Sequence, residues 1–230
     1  MSTGLRKSLK PERTKAVDYR TRIVDDLGAV PAADWNALAA ATAGDEGTGH
    51  GSGLQPFVRH EFLAALEDTG CTGEEAGWLP RHLLVEDSEG RLRAAVPLYL
   101  KAHSWGEYVF DWAWADAYRR HGLRYYPKLL SAVPFTPVCG PRLLAADAPS
   151  RAAAAEALLG LARASELSSL HVLFPTAPEA ALLEGAGMMP RTGVQFHWQN
   201  RGWSNFDDFL AALAQPKRKK IRAERRRVAD

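Results

Sequence analysis

Between Gly106 and Arg142 the chain reads GEYVFDWAWADAYRRHGLRYYPKLLSAVPFTPVCGPR. Carboxylates at Glu107, Asp111 and Asp116 and cations at Lys128 and Arg142 are interleaved there with Tyr108, Trp112, Trp114, Tyr125 and Tyr126. A carboxylate lifted toward neutrality by burial can take the proton of an attacking amine. A fixed cation can hold an anionic group, or an oxyanion as it develops, through charge-assisted hydrogen bonds. Tyrosine and tryptophan join an apolar body to a polar tip, which suits a cleft for a polar ligand. Asp111, Asp116 and Lys128 are therefore the candidate catalytic groups. Glu107, Tyr108, Tyr126, Thr136 and Arg142 are candidate substrate contacts. The same residues also read as an aromatic cluster with a solvated rim, whose surface ion pairs are worth ~0–1 kcal/mol each.

Several chemistries lack their residues. The seven histidines show no H-x-H, H-x-x-x-H or cysteine pairing at ligand spacing, so no metal site is expected. There is no G-x-S-x-G elbow and no G-x-G-x-x-G following a strand. The glycine-rich Gly44–Gly53 follows a helix and lacks the lysine of a phosphate loop, so an insertion is expected. Cys71 and Cys139 have no partner spacing, and a reducing, cytoplasmic setting is the expectation. No apolar run approaches the ~20 residues that span a bilayer.

The elements that must position these groups alternate. A strand is expected at Tyr19–Val24, a helix at Ala32–Thr42 and another at Phe57–Asp68. A hairpin follows, Arg81–Glu86 with Arg91–Lys101, turning on Asp87-Ser88-Glu89-Gly90; Pro97 marks an edge or a bulge. Ala113–His121 is a short helix, Lys128–Phe135 a buried strand, and Pro134, Pro137 and Pro141 break its ladder. Ser150–Leu167 is an alanine-rich helix, Ser169–Phe174 a strand and Pro178–Ala186 a helix. Gly193–Asn200 alternates as a strand, with Gln195 and His197 on its polar face as further candidate substrate contacts. Ser204–Asp207 resembles a capping box opening a helix, and Pro216 starts another. The order argues for an α/β fold: a mixed, mostly antiparallel sheet with helices on both faces.

Charge is concentrated at the ends. The net charge of the whole is +2, yet the segment PKRKKIRAERRRV carries eight Lys/Arg. Arg218, Lys219 and Arg222 are candidate phosphate ligands in tRNA, a nucleotide-linked substrate or a membrane surface; a solvated basic helix is the plain alternative. Residues 1–18 read as a flexible basic arm, 19–215 as one domain, and 216–230 as a basic helix.

The runs GEYVFDWAWADAY, YYPKL with VPFTPVCGPR, and KRKKIR resemble the FemAB-like proteins, a branch of the GNAT acyltransferase superfamily associated with peptidoglycan biosynthesis. The resemblance spans roughly Tyr19 to the end. It implies a GNAT-like fold and transfer of an amino acid from aminoacyl-tRNA to an amine of a peptidoglycan precursor, with no permanently bound cofactor. It also implies a second GNAT-like half beyond the basic segment, so the chain reads as an N-terminal half. Ordinary GNAT acetyltransferases carry Arg/Gln-x-x-Gly-x-Gly/Ala after the central strand. PFTPVCGPRL stands there instead, which counts against acetyl-CoA. An acyl-CoA-dependent N-acyltransferase and a non-catalytic module binding nucleic acid or a membrane surface remain the alternative readings.

Overall fold

The computed structural model describes residues 18–45 and 55–229. All but the last residue of the basic arm expected at residues 1–18, and most of the glycine-rich insertion, lie outside the described residues. The chain divides into two compact units, one reaching Pro190 and the other running from Arg191.

The first unit is built on one bent hairpin. Its first arm comprises β2 (Trp78–Pro80) and β3 (His82–Glu86); its second comprises β4 (Leu92–Val96) and β5 (Tyr99–Lys101). Asp87 sets the turn, accepting from the backbone of Glu89 and Arg91, and Gly90 takes φ +77° to close it. Pairing runs from Leu83↔Val96 through Arg81 N–H to Leu98 O at 2.8 Å and on to Pro80↔Tyr99. The ladder therefore continues around the corner without a slip. Pro97, lacking an N–H, sits at that corner, and the neighbouring Leu98 N–H bonds His82 Nδ1 at 3.2 Å.

Each half of the hairpin seeds a sheet. The first has the order β1-β3-β4-β7, adding β1 (Arg20–Val24) and β7 (Leu144–Ala145). The second has the order β2-β5-β6-β8, adding β6 (Lys128–Ser131) and β8 (Leu170–Val172). Every pairing is antiparallel except β6 with β8. The fold is thus α/β with mixed, mostly antiparallel sheets, as the order of elements predicts.

Strand alternation splits the core. Leu84, Ala95 and Leu144 face Trp35 and Leu38 of α1 (Ala32–Asp45) and Leu63 of α2 (His60–Asp68). Leu83, Val85, Ala94 and Val96 face Ala154, Ala155 and Leu158 of α4 (Ala148–Ala164), with Leu183 of α5 (Ala177–Gly185) in the same cluster. Each fully buried large side chain is worth ~1.5–3 kcal/mol; the alanines of α4 let the helix lie close to the sheet. Asp147 with Ser150, and Thr176 with Glu179, form reciprocal capping boxes that start α4 and α5.

Between β5 and β6 runs α3 (Trp112–Arg120), a nine-residue helix with no fully buried residue. The second unit holds α6 (Phe206–Ala211) and α7 (Gln215–Ala229). Asn205, not Ser204, caps α6, accepting from Asp208 N–H. The strand expected at Gly193–Asn200 does not form. Its alternation is present, but no strand pairs with it among the described residues, and Val194 and Phe196 are exposed. Alternation alone does not make a strand without a neighbour to complete its ladder.

Candidate active site

In the second sheet, period-two alternation puts Tyr99 and Lys101 of β5 on one face with Lys128 and Leu130 of β6. Lys101 and Lys128 are direct cross-strand partners. Two like charges opposite one another repel, so something anionic must cover them. The connection from Ser104 to Asp111 does so.

Lys128 Nζ is fully buried and donates to Glu107 Oε2 at 2.9 Å, Asp111 Oδ2 at 2.5 Å and Ser104 Oγ at 2.9 Å. Tyr125 O–H donates to the same Asp111 oxygen at 2.8 Å, and the Tyr126 hydroxyl shares a hydrogen bond with Ser104 Oγ at 2.7 Å. Lys101 Nζ sits 3.8 Å from the centre of the Trp78 ring and donates to Trp105 O at 3.2 Å. Trp78 Nε1 donates to the same carbonyl at 3.1 Å, fixing the start of the covering segment.

The opposite oxygens, Glu107 Oε1 and Asp111 Oδ1, are buried without a hydrogen-bond partner. A buried acceptor left unmatched costs ~1–3 kcal/mol, more if charged. Two of them a few residues apart, on the two carboxylates that bond Lys128, mark capacity held in reserve. Asp111 also occupies the N-cap position of α3 without capping it. It forgoes a contribution of about 1 kcal/mol to the helix in order to face Lys128.

The covering segment is strained as well. Gly106 and Tyr108, on either side of Glu107, have φ +81° and +58°. A Cβ at Gly106 would fall 2.5 Å from the Phe135 ring, so only glycine fits there. Phe135, itself at φ +56°, packs against Trp78 at 5.4 Å between centroids. Left-handed bulky residues are uncommon, and such strain gathers at functional sites.

The titration behaviour follows from this packing. Burial raises the Glu107 carboxyl above its ordinary range, and the attraction of Lys128 only partly offsets it. Burial also acts to raise Asp111, but hydrogen bonds from Lys128, Ser104 and Tyr125 outweigh it and hold that carboxyl below its ordinary value. Lys101 is brought down to about 7, chiefly by burial, with Glu107 opposing and Lys128 assisting. Burial and the bond to Asp111 push the Tyr125 hydroxyl upward, so it stays a donor.

Of the residues singled out from the sequence, Glu107, Asp111, Lys128 and Tyr126 meet in this cluster. Tyr108 lies at its edge in sequence and is 58 % exposed, beside the exposed Phe110, Trp112 and Trp114. Asp116 does not join; it is exposed on α3 and pairs with Arg119 at 3.0 Å. Thr136 turns its hydroxyl to Pro134 O at 3.0 Å.

Arg142 requires a correction. It is fully buried, and its guanidinium donates to the carbonyls of Leu173, Gly140, Pro141 and Val138 at 2.6–3.1 Å. It clamps the loop after β6 and offers no exposed donor at the mouth of a cleft. Burial lowers it to about 10, with Glu179 opposing.

Gln195 and His197 are exposed residues of the second unit, without the strand expected to carry them. Arg218, Lys219 and Arg222 lie on α7 in that unit; Arg218 donates to Ala211 O at 3.2 Å, while Lys219 and Arg222 are exposed. Arg225 stacks over Phe206 at 4.3 Å.

Sequence reasoning passed over Lys101 and Ser104, and counted Tyr125 among the aromatic residues without giving it a role in the site. The signal was the hairpin's own alternation, which puts Lys101 on the same inward face as Tyr99. An inward lysine at a strand end calls for a carboxylate nearby. No group of three or more histidine, cysteine or acidic residues among the described residues is arranged to hold a metal ion. No helix among them is long and apolar enough to cross a membrane.

Comparison with known proteins adds one finding. The FemAB-like family, described as peptidoglycan biosynthesis/recognition, matches residues 26–230. No curated protein and no solved structure matches the chain.

Proposed function

The chain belongs to the FemAB-like family of peptidoglycan biosynthesis/recognition, and from that premise we propose that it is an acyl or aminoacyl transferase module acting on an amine of a peptidoglycan precursor. One observation carries the reading: two carboxylates grip a buried lysine, and each keeps one buried oxygen without a partner.

An acceptor amine arrives as an ammonium whose N–H groups match Glu107 Oε1 and Asp111 Oδ1. Admission requires the segment from Ser104 to Asp111 to move, since both oxygens are sealed from solvent. Glu107, the carboxylate with the raised pKa, accepts a proton. The freed nitrogen then attacks the carbonyl carbon of the donor ester. A C–N bond forms and negative charge develops on the carbonyl oxygen. The three N–H groups of Lys128 stay on Glu107, Asp111 and Ser104, so its ammonium stabilises that charge through the field of the cation and not through a hydrogen bond. The C–O bond to the carrier breaks, the proton on Glu107 passes to the leaving oxygen, and the carboxylate so restored takes the nitrogen's second proton and releases it to solvent. Orientation and charge placement supply the acceleration, with no covalent enzyme intermediate.

For the carrier we favour aminoacyl-tRNA, with Arg218, Lys219 and Arg222 of α7 meeting its phosphates. The test is transfer from a pool of charged tRNA to a lysine-containing peptide, read by mass spectrometry. The reading requires a mass gain of one aminoacyl residue, lost in Glu107→Gln. Acyl-CoA serving in place of tRNA would move the donor to the alternative class.

A second reading has an observation of its own in the sealing of the trio. The site then recognises an amine without transferring anything to it. Binding of the peptide with no product under any donor would select that reading.

A further inference from the structure

The second sheet has another face, away from Lys101 and Lys128. Alternation turns Leu100 of β5 and Leu129 of β6 to that side, where they meet the last turns of α4 and the residues after it. A cavity of about 530 Å³ opens there. Its floor is aliphatic, with Leu100, Leu129, Leu161 and Leu167, and charge enters through Arg81, Arg124 and Glu166.

The polar groups are unevenly engaged. Arg81 donates one N–H to Pro80 O at 2.7 Å, leaving the rest of its fork available. Arg124 and Glu166 make no hydrogen bond or ion pair with any described residue, although both line the same cavity. Ser165 and Ser168, by contrast, are committed to the carbonyls of Ala162 and Tyr125. Two guanidiniums against one carboxylate give the wall a positive excess. An aliphatic floor beside a few convergent polar groups is the ordinary composition of a small-molecule site, and guanidinium forks match carboxylate and phosphate oxygens.

We propose that this cavity binds an amphiphilic anion, its acid headgroup held by Arg81 and Arg124 and its short aliphatic body lying over Leu100, Leu129, Leu161 and Leu167. Tyr126, whose hydroxyl bonds Ser104 of the Lys128 cluster, lines this cavity as well, but the proposed binding does not depend on transfer chemistry at Lys128. Neither a bare anion nor a neutral alcohol satisfies both parts of the wall. Glu166 opposes the headgroup and limits affinity.

Calorimetric titration of the full chain with octanoate, octyl phosphate, 1-octanol and inorganic phosphate tests this. The two octyl anions should bind at least about tenfold more tightly than 1-octanol, and inorganic phosphate should bind more weakly than either. The tighter of the two anions identifies the headgroup as carboxylate or phosphate. Arg124→Gln, at an exposed position, should bring the anions down to the level of the alcohol. Glu166→Gln should tighten them several-fold, and Leu161→Trp, checked for an unchanged melting temperature, should abolish binding by filling the cavity. Equal affinity for 1-octanol and octanoate would overturn the proposal. So would anion binding that Arg124→Gln leaves untouched, which remains readable even if Leu161→Trp does not fold.

Discussion

Two clusters of buried charge lie in the same unit and are built differently. Around Arg142 and Glu179, demand and supply match. The guanidinium reaches four carbonyls, and the Glu179 carboxylate accepts from the backbone of Arg142 and Leu143 at 2.6–2.9 Å and from Thr176 N–H at 3.3 Å. Such a cluster ties a proline-broken loop to the start of α5. Around Lys128 the match is incomplete: the ammonium is saturated, yet Glu107 and Asp111 each retain an unused oxygen. Burial is alike in the two places, so burial does not distinguish a fastening from a site. The surplus of charged acceptors does: Thr72, Tyr99 and Ser131 also keep unpartnered buried hydroxyls, but only Glu107 and Asp111 among the described residues leave buried carboxylate oxygens unmatched, where the desolvation cost is greater.

Substitutions separate the two. Glu179→Ala should have the largest effect, about 3–5 kcal/mol in urea unfolding, because it leaves the buried backbone N–H groups of Arg142 and Leu143 unpaired and removes the countercharge of the Arg142 guanidinium. Its activity per folded molecule should be unchanged. Lys128→Met should cost somewhat less, about 2–4 kcal/mol, and abolish transfer; adding Glu107→Gln and Asp111→Asn should restore stability but not activity.

Next come the two acids singly, and here the signs diverge. The Glu107 carboxyl is raised in the folded protein. Its contribution is therefore full below the unfolded pKa of about 4.3 and is lost as pH rises through the folded value. Glu107→Gln should be neutral or stabilising by up to about 1 kcal/mol at pH 7 while slowing transfer by about 10²-fold or more. The Asp111 carboxyl is lowered, so its contribution is present above about pH 3.9 and is lost as pH falls through the folded value. Asp111→Asn should cost about 1.5–3 kcal/mol at pH 7 and little near pH 2. Urea unfolding across pH 2–8 reads both. Asp116→Asn, which breaks only an exposed pair with Arg119, should change stability by less than about 0.5 kcal/mol and leave the transfer rate unaltered.

How far the sequence foretold this depends on the kind of signal. The hairpin was plain because Asp87-Ser88-Glu89-Gly90 is a local turn that sets its own register, and α4 and α5 announce themselves through alanine content and capping residues. Gly193–Asn200 was misread because a strand is a property of two segments, and alternation reports only one. Pro97 flagged an irregularity, but the bend it marks is a decision shared with His82 across the ladder. Within the site, Glu107, Asp111 and Lys128 stood out by residue type. Their grouping follows from the pairing of Lys101 with Lys128, a contact no spacing along the chain encodes. Arg142 has the type of an anion anchor. Only the fold reveals that three carbonyls of its own loop and that of Leu173, just after β8, already occupy it.

The central claim is that Glu107 and Asp111 hold their spare oxygens for an amine. Carbon-13 labelling of the glutamate carboxyls, with an NMR titration of Glu107 in the absence and presence of n-butylamine, addresses it directly. The account predicts that the raised pKa of Glu107 falls when the butylammonium enters, because a second cation favours the carboxylate, and that Asp111→Asn weakens this response. A Glu107 titration curve that does not move at saturating butylamine would contradict it and leave the trio a structural fastening like that of Arg142.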